Sequence, residues 1–207
     1  MSGERVLEIA TPHGAARAHV RAAPEPPGVL VLGHGAGGGV GARDLVAVAT
    51  AAASLGWTVV LVEQPYRVAG RRSPAPAAQL DTAWIVVVDA LRDLAERVPL
   101  VTGGRSSGAR VACRTAAATG ATGVLCLAFP LQPPRRTGPP APTRIDELNA
   151  VSVPVLVIQG ERDPFGMPPP VPGRTVIHVQ GDHSLRSDLA AVAAAAKDWL
   201  EGLPSSG

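Results

Sequence analysis

Val101-Thr102-Gly103-Gly104-Arg105-Ser106-Ser107-Gly108-Ala109-Arg110-Val111-Ala112 decides how this chain is read. It contains Gly-x-Ser-x-Gly with Ser106 at the centre. Pro99 to Thr102 reads as the end of a short buried strand, and Ala109 to Thr119 as a small, Ala-rich helix. A serine squeezed between strand and helix sits on a sharp turn with a strained backbone. Glycines at 104 and 108 remove the Cβ atoms that would clash there. The hydroxyl is then held out at the sheet edge, beside the positive end of a helix that favours a developing negative charge. Five residues are a weak pattern in a chain rich in Gly and Ser. A capping serine on a Gly-rich turn satisfies it equally, so partners elsewhere must decide.

Working outward, other apolar runs repeat the strand-then-cluster plan. Val29-Leu30-Val31-Leu32 ends in Gly33-His34-Gly35-Ala36-Gly37-Gly38-Gly39. Trp57 to Val62 ends in Glu63-Gln64-Pro65-Tyr66-Arg67, and Gly123 to Ala128 leads into Phe129 to Thr143. Pro154 to Gln159 ends in Gly160-Glu161-Arg162-Asp163, and Arg174 to Val179 in Gly181-Asp182-His183-Ser184. Continuous apolar runs are expected of strands buried on both faces. Between them, Leu45, Val48, Ala52 and Leu55 recur at helical spacing, with Asp44 as the expected cap and Gly56 as terminator. Leu80, Trp84, Val87, Val88, Leu91 and Leu94 mark a longer helix. Leu189, Val192, Ala196, Trp199 and Leu200 mark a final one, capped by Ser187 or Asp188. Val6–Ile9 and Ala18–Arg21, around Thr11-Pro12-His13-Gly14, read as an opening antiparallel hairpin. Phe129 to Thr143 carries six prolines and no helical period, so it is expected to be a loop.

Alternating strands and helices predict an α/β fold: a mostly parallel sheet with helices on both faces. Its ligands would lie at the carboxyl ends of the strands. The 207 residues form one expected domain, 1–207, with a frayed tail at 203–207. The composition is 46% hydrophobic but only 3% aromatic, so the core must be built from small aliphatic side chains. A net charge of +2, from 19 basic and 17 acidic residues, gives no ground for nucleic acid or a membrane surface as partner. No run approaches the ~18 apolar residues that span a bilayer, and Met1 to Arg5 lead into no signal-peptide core. Cys113 and Cys126, lacking Cys-x-x-Cys spacing, read as free buried thiols in a cytoplasmic protein. No His/Cys/Asp/Glu cluster has metal-ligand spacing, and no cofactor is called for. A homodimer is left open.

Serine-based acyl chemistry needs a nucleophile, a base, a carboxylate to orient the base, and amide donors for the oxyanion. Ser106, Asp163 and His183 occur in the order Ser…Asp…His, each after an apolar strand. Singly, Asp163-Pro164 is an ordinary turn start and His183 an ordinary loop residue. Together and in that order they are much harder to dismiss. Arg67, Arg71, Arg72 and Arg105 fall near the same edge. They could attract an anionic substrate, or simply solvate loops and pair with Glu63 or Asp81. A rival reading is dinucleotide binding, since Gly33-His34-Gly35-Ala36-Gly37-Gly38 also satisfies Gly-x-Gly-x-x-Gly, with Glu63 placed for a ribose. That reading leaves Ser106, Asp163 and His183 without a role.

Over nearly its whole length the chain resembles the α/β-hydrolase superfamily, most closely its small, lidless group related to the dienelactone hydrolases. The carriers are Gly33–Gly37, Glu63–Arg72, Gly103–Arg110, Gly160–Pro164 and Gly181–Leu185. The resemblance implies Ser106 as nucleophile, His183 as general base and acid, and Asp163 as its orienting partner. It implies the backbone N–H groups of Ala36 and Ser107 as oxyanion hole. His34, Gly35, Tyr66, Arg67 and Arg105 are the expected substrate-side residues. No helical insertion is expected between Phe129 and Asn149, hence no cap domain. The expected activity is hydrolysis of a small-molecule ester, thioester or lactone. The group also holds relatives that act as scaffolds, so a non-catalytic interaction module is the alternative.

Overall fold

The structure, a computed structural model, describes residues 4–135 and 137–203; the expected frayed tail lies outside them apart from Leu203. β1 (Arg5–Thr11) and β2 (Gly14–Arg21) form the antiparallel hairpin. β3 (Val29–Gly33), β4 (Thr58–Glu63), β5 (Leu100–Arg105), β6 (Gly123–Leu127), β7 (Val155–Gly160) and β8 (Arg174–Val179) run parallel to one another. They join into one 8-stranded sheet of order β1-β2-β4-β3-β5-β6-β7-β8, with β2 antiparallel to β4. The helices are α1 (Arg43–Ser54), α2 (Pro65–Val68), α3 (Ala77–Ala90), α4 (Ser107–Thr119), α5 (Ile145–Asn149) and α6 (Leu189–Glu201).

Strand alternation divides the core into two layers. Leu30 and Leu32 of β3 face α1 and α6, where Leu45, Val48, Val192, Ala196 and Leu200 cover them. Val29 and Val31 face the opposite side, against Leu80, Trp84, Val87 and Val88 of α3 and Val111 of α4. Each Val or Leu among them taken fully out of water contributes about 1.5–3 kcal/mol. Trp84 and Phe129 are the bulkiest fully buried side chains in a core built mainly of Val, Leu and Ala.

Three local expectations need correction. Asp44 does not cap α1; Ala42 holds the cap position without a side-chain bond, and Asp44 sits inside the first turn, buried. The helix expected to run on to Leu94 stops at Ala90 and tightens into a 3-10 turn over Arg92–Ala95. The segment expected to hold no helix up to Asn149 contains the five-residue α5. The four-residue α2 follows β4 directly, with Pro65 in its first turn. At the last helix the expectation stands: Asp188 caps α6, accepting the Ala191 N–H at 2.9 Å.

From β3 the chain moves outward to β4, then returns to place β5 on the other flank of β3. The crevice where the order reverses lies at the carboxyl ends of β3 and β5, the general ligand position in such sheets. Gly33 and Gly104 are paired there. Among the described residues no helix is long and apolar enough to cross a membrane.

Candidate active site

The turn from β5 to α4 puts Ser106 at φ 52° and ψ −108°, a conformation that L side chains seldom adopt. Backbone packing forces it. A Cβ on Gly104 would overlap the Gly33 carbonyl oxygen, and one on Gly108 would overlap the same atom and come within 2.9 Å of His34 O. The helix can therefore start this close to β3 only with glycine at both places. The Ser106 N–H donates to Leu127 O on the neighbouring strand at 2.8 Å, which pins the turn.

Ser106, Asp163 and His183 come together from three loops. His183 Nε2 lies 2.9 Å from Ser106 Oγ, and His183 Nδ1 lies 2.8 Å from Asp163 Oδ2. An ionised carboxylate only accepts, so Nδ1 carries the proton and Nε2 is the free acceptor facing the hydroxyl. Asp163 is buried, and both of its oxygens have donors: Oδ1 takes the Phe165 N–H at 2.9 Å, and Oδ2 also takes Gln159 Nε2 at 2.8 Å. The Phe165 ring packs on the His183 ring with centroids 4.4 Å apart. Two residues later, Leu185 holds a left-handed φ of 50° so that its side chain is fully buried, anchoring the loop.

Gln159 was invisible as a site residue from sequence. It is completely buried at the end of β7, and its Nε2 also lies 3.1 Å from Phe129 O and 2.9 Å from Gly166 O. The available signal was a lone amide closing the apolar run Val155-Leu156-Val157-Ile158.

The residues expected on the substrate side have their polar atoms engaged by the protein. His34 is buried; its Nδ1 donates to Gly35 O at 2.9 Å and its Nε2 accepts the Gln64 N–H at 3.2 Å. Burial pushes the His34 pKa below its ordinary value, against a smaller opposing pull from the Gly35 bond. Tyr66 is buried too and donates its hydroxyl to Ala36 O at 2.9 Å. Together they set the loop that carries Gly35 and the Ala36 N–H. Ser107 opens α4, where helix geometry leaves amide donors without helical acceptors. Arg67 reaches back to Arg71 O at 3.3 Å. Arg105 lies 2.8 Å from Asp44 and donates to His183 O at 3.0 Å. The expected pairing of these arginines with Glu63 or Asp81 does not occur: Glu63 meets His19 at 3.2 Å, and Asp81 meets Arg114. Glu63, thus occupied, and an α1 that begins only at Arg43 also depart from the dinucleotide arrangement.

A groove of about 270 Å³ opens beside Phe165, walled by Leu131, Pro133, Pro134, Pro140 and Gly166.

No curated protein sequence matches the chain. A lidless α/β serine hydrolase from Xanthomonas campestris superposes with TM-score 0.77 at 21% identity, covering 100% of this chain and 98% of that one. Est1E from Butyrivibrio proteoclasticus gives 0.74 at 16% identity, covering 95% and 97%. A dienelactone hydrolase from Anabaena variabilis gives 0.73 at 16% identity, covering 97% and 98%. At such identities the likeness is one of fold. The profile of the α/β hydrolase domain matches residues 26–199, from just before β3 into the last turn of α6, and on that match the chain belongs to the α/β-hydrolase family.

Proposed function

We propose that this hydrolase cleaves a carboxylic ester, thioester or lactone of a small molecule through an acyl-enzyme on Ser106. One observation carries the reading: an unbroken line from Asp163 through His183 to Ser106, with separations of 2.8 and 2.9 Å. His183 Nε2 takes the hydroxyl proton as Ser106 Oγ attacks the carbonyl carbon. The Ala36 and Ser107 N–H groups receive the oxyanion. His183 returns the proton to the leaving oxygen or sulfur, and the same base then activates water to release the acid. Asp163 holds the tautomer and stabilises the imidazolium without itself taking the proton. The groove lined by Phe165, whose ring packs on the His183 imidazole, offers space for the acyl or leaving group, and its proline walls are rigid.

A fluorophosphonate probe tests this. Wild-type protein should be labelled at Ser106, Ser106→Ala should not be, and His183→Ala should be labelled far more slowly. A folded wild-type protein that takes no label would overturn the reading in favour of a non-catalytic module. Hydrolysis of short and long p-nitrophenyl esters then ranks the acyl groups.

A further inference from the structure

We propose that Arg105 is a positioning residue: anchored on buried Asp44, its guanidinium holds the His183 main chain so that the imidazole stays in register with Ser106. The proposal rests on the hydrolase reading above and extends it to a residue first expected to meet substrate.

Arg105 is a side chain shared by several loops of the catalytic rim. It ends β5, directly before Ser106. Its Nε lies 2.8 Å from Asp44 Oδ2 in the first turn of α1, and its Nη2 donates to the His183 carbonyl oxygen at 3.0 Å. Its Nη1 lies over Gly35, where a Cβ would come within 2.8 Å of it. The loops after β3 and β8 and the start of α1 are therefore tied to the nucleophile turn by one planar group. Arg suits this task because its fork offers donors in fixed, divergent directions, whereas a lysine ammonium is a single point.

The anchor is a costly one, which argues for a role. The Asp44 side chain is only 2% exposed. Burial raises its pKa, and the Arg105 charge is the largest influence pulling it back down. A helix cap would have been served by a serine or asparagine at Ala42. Asp44 instead stands inside the helix, where it meets Arg105. On the other side, the His183 loop is held at Leu185 by burial and at the ring by Asp163, Phe165 and Ser106. Arg105 supplies the hold on the peptide group itself. With only α5 between β6 and β7 among the described residues, no overlying domain presses this loop into place.

The test uses Arg105→Lys, Arg105→Ala and wild type. Three readouts are kcat and KM on p-nitrophenyl acetate, the rate of fluorophosphonate labelling, and hydrogen exchange of the peptide spanning residues 181–188. Arg105→Lys keeps a charge against Asp44 and so guards against misfolding. The expected result is a fall in kcat and labelling rate of about a hundredfold, the scale of an ångström-sized misplacement, with KM within twofold. Exchange in 181–188 should quicken, and millimolar guanidinium should restore both rate and protection to Arg105→Ala where equal sodium chloride does not. Unchanged exchange would overturn the proposal, as would a loss confined to KM, which would make Arg105 a substrate contact. If wild type neither turns over nor labels, the hydrolase reading falls alone. Exchange and its guanidinium rescue still decide whether Arg105 holds the loop.

Discussion

Gln159 and His183 meet on a single oxygen of Asp163: the amide Nε2 and the imidazole Nδ1 each lie 2.8 Å from Oδ2. The carboxylate is thus oriented from beneath by the sheet and used from above by the base. Gln159→Leu keeps the volume but removes this donor and leaves the Phe129 and Gly166 carbonyls short of a partner. Losing a hydrogen bond to a charged group while stranding buried acceptors costs about 2–3 kcal/mol. Urea melts should show that loss, and kcat should fall on the order of tenfold because each 1.4 kcal/mol of misorientation is a decade. A Gln159→Leu protein with wild-type kcat and midpoint would show that the amide only fills space.

Gly104 is required by backbone contact rather than by turn preference. A Cβ there would overlap Gly33 O and lie 2.9 Å from the Gly108 carbonyl carbon, both main-chain atoms that cannot step aside. Gly104→Ala should destabilise by about 3 kcal/mol or more, the upper range for overpacking, or fail to fold. Gly39→Ala is the control: nothing lies within 4 Å of its Cβ position, so its thermal midpoint should match wild type. Equal midpoints for all three proteins would mean that β3 and α4 can move apart, and that Ser106 is not held by packing.

Much of this was legible because parallel strands buried on both faces announce themselves as apolar runs, and their chemistry lies just beyond. Val29–Leu32, Val155–Ile158 and the clusters after them needed only local sequence. What stayed hidden depends on partners distant in the chain. Asp44 looks like a helix cap until Arg105 is beside it, and Gln159 looks like a strand residue until Asp163 folds back over it. The arginines of the Pro-rich loop looked like partners for Glu63 or Asp81. Charge alone does not say that Asp81 is already taken by Arg114, or Glu63 by His19. α2 and α5 are too short to show a period; α2 is set by Pro65 after a buried strand, and α5 is tied to α4 by Glu147 accepting from Arg110.

His34 predicts an acid-side loss of stability. Its folded pKa is depressed by burial from the ordinary 6.5, so the native state favours the neutral ring. Stability from this group is full above the unfolded value of 6.5 and drains away as pH falls through the lower folded value. Both ring nitrogens are used in the neutral tautomer, one as donor to Gly35 O and one as acceptor from Gln64 N. Protonation would turn that acceptor into a donor facing a donor. Stability against pH should therefore slope more steeply in wild type than in His34→Asn just below pH 6.5, by up to about 1.4 kcal/mol per unit. Parallel curves would show that His34 ionises freely in the folded protein.

The two thiols predict an inert pair that reports on unfolding. Cys113 of α4 and Cys126 of β6 are buried, with sulfurs 3.5 Å apart. The hydrogen bond with Cys113, then burial, pushes the Cys126 thiol well above its usual value. The thiolate is the reacting species, so both the ionised fraction and access to it are suppressed. An aromatic disulfide reagent at neutral pH should leave the native protein unreacted and titrate both thiols once urea unfolds it. Because the pair lies between β6 and α4, the helix that starts directly after Ser106, Gly104→Ala should react sooner than wild type at the same urea concentration. Stoichiometric reaction of the native protein within minutes would mean that α4 lifts from β6 on that timescale, and the rigid nucleophile turn would then have to be abandoned.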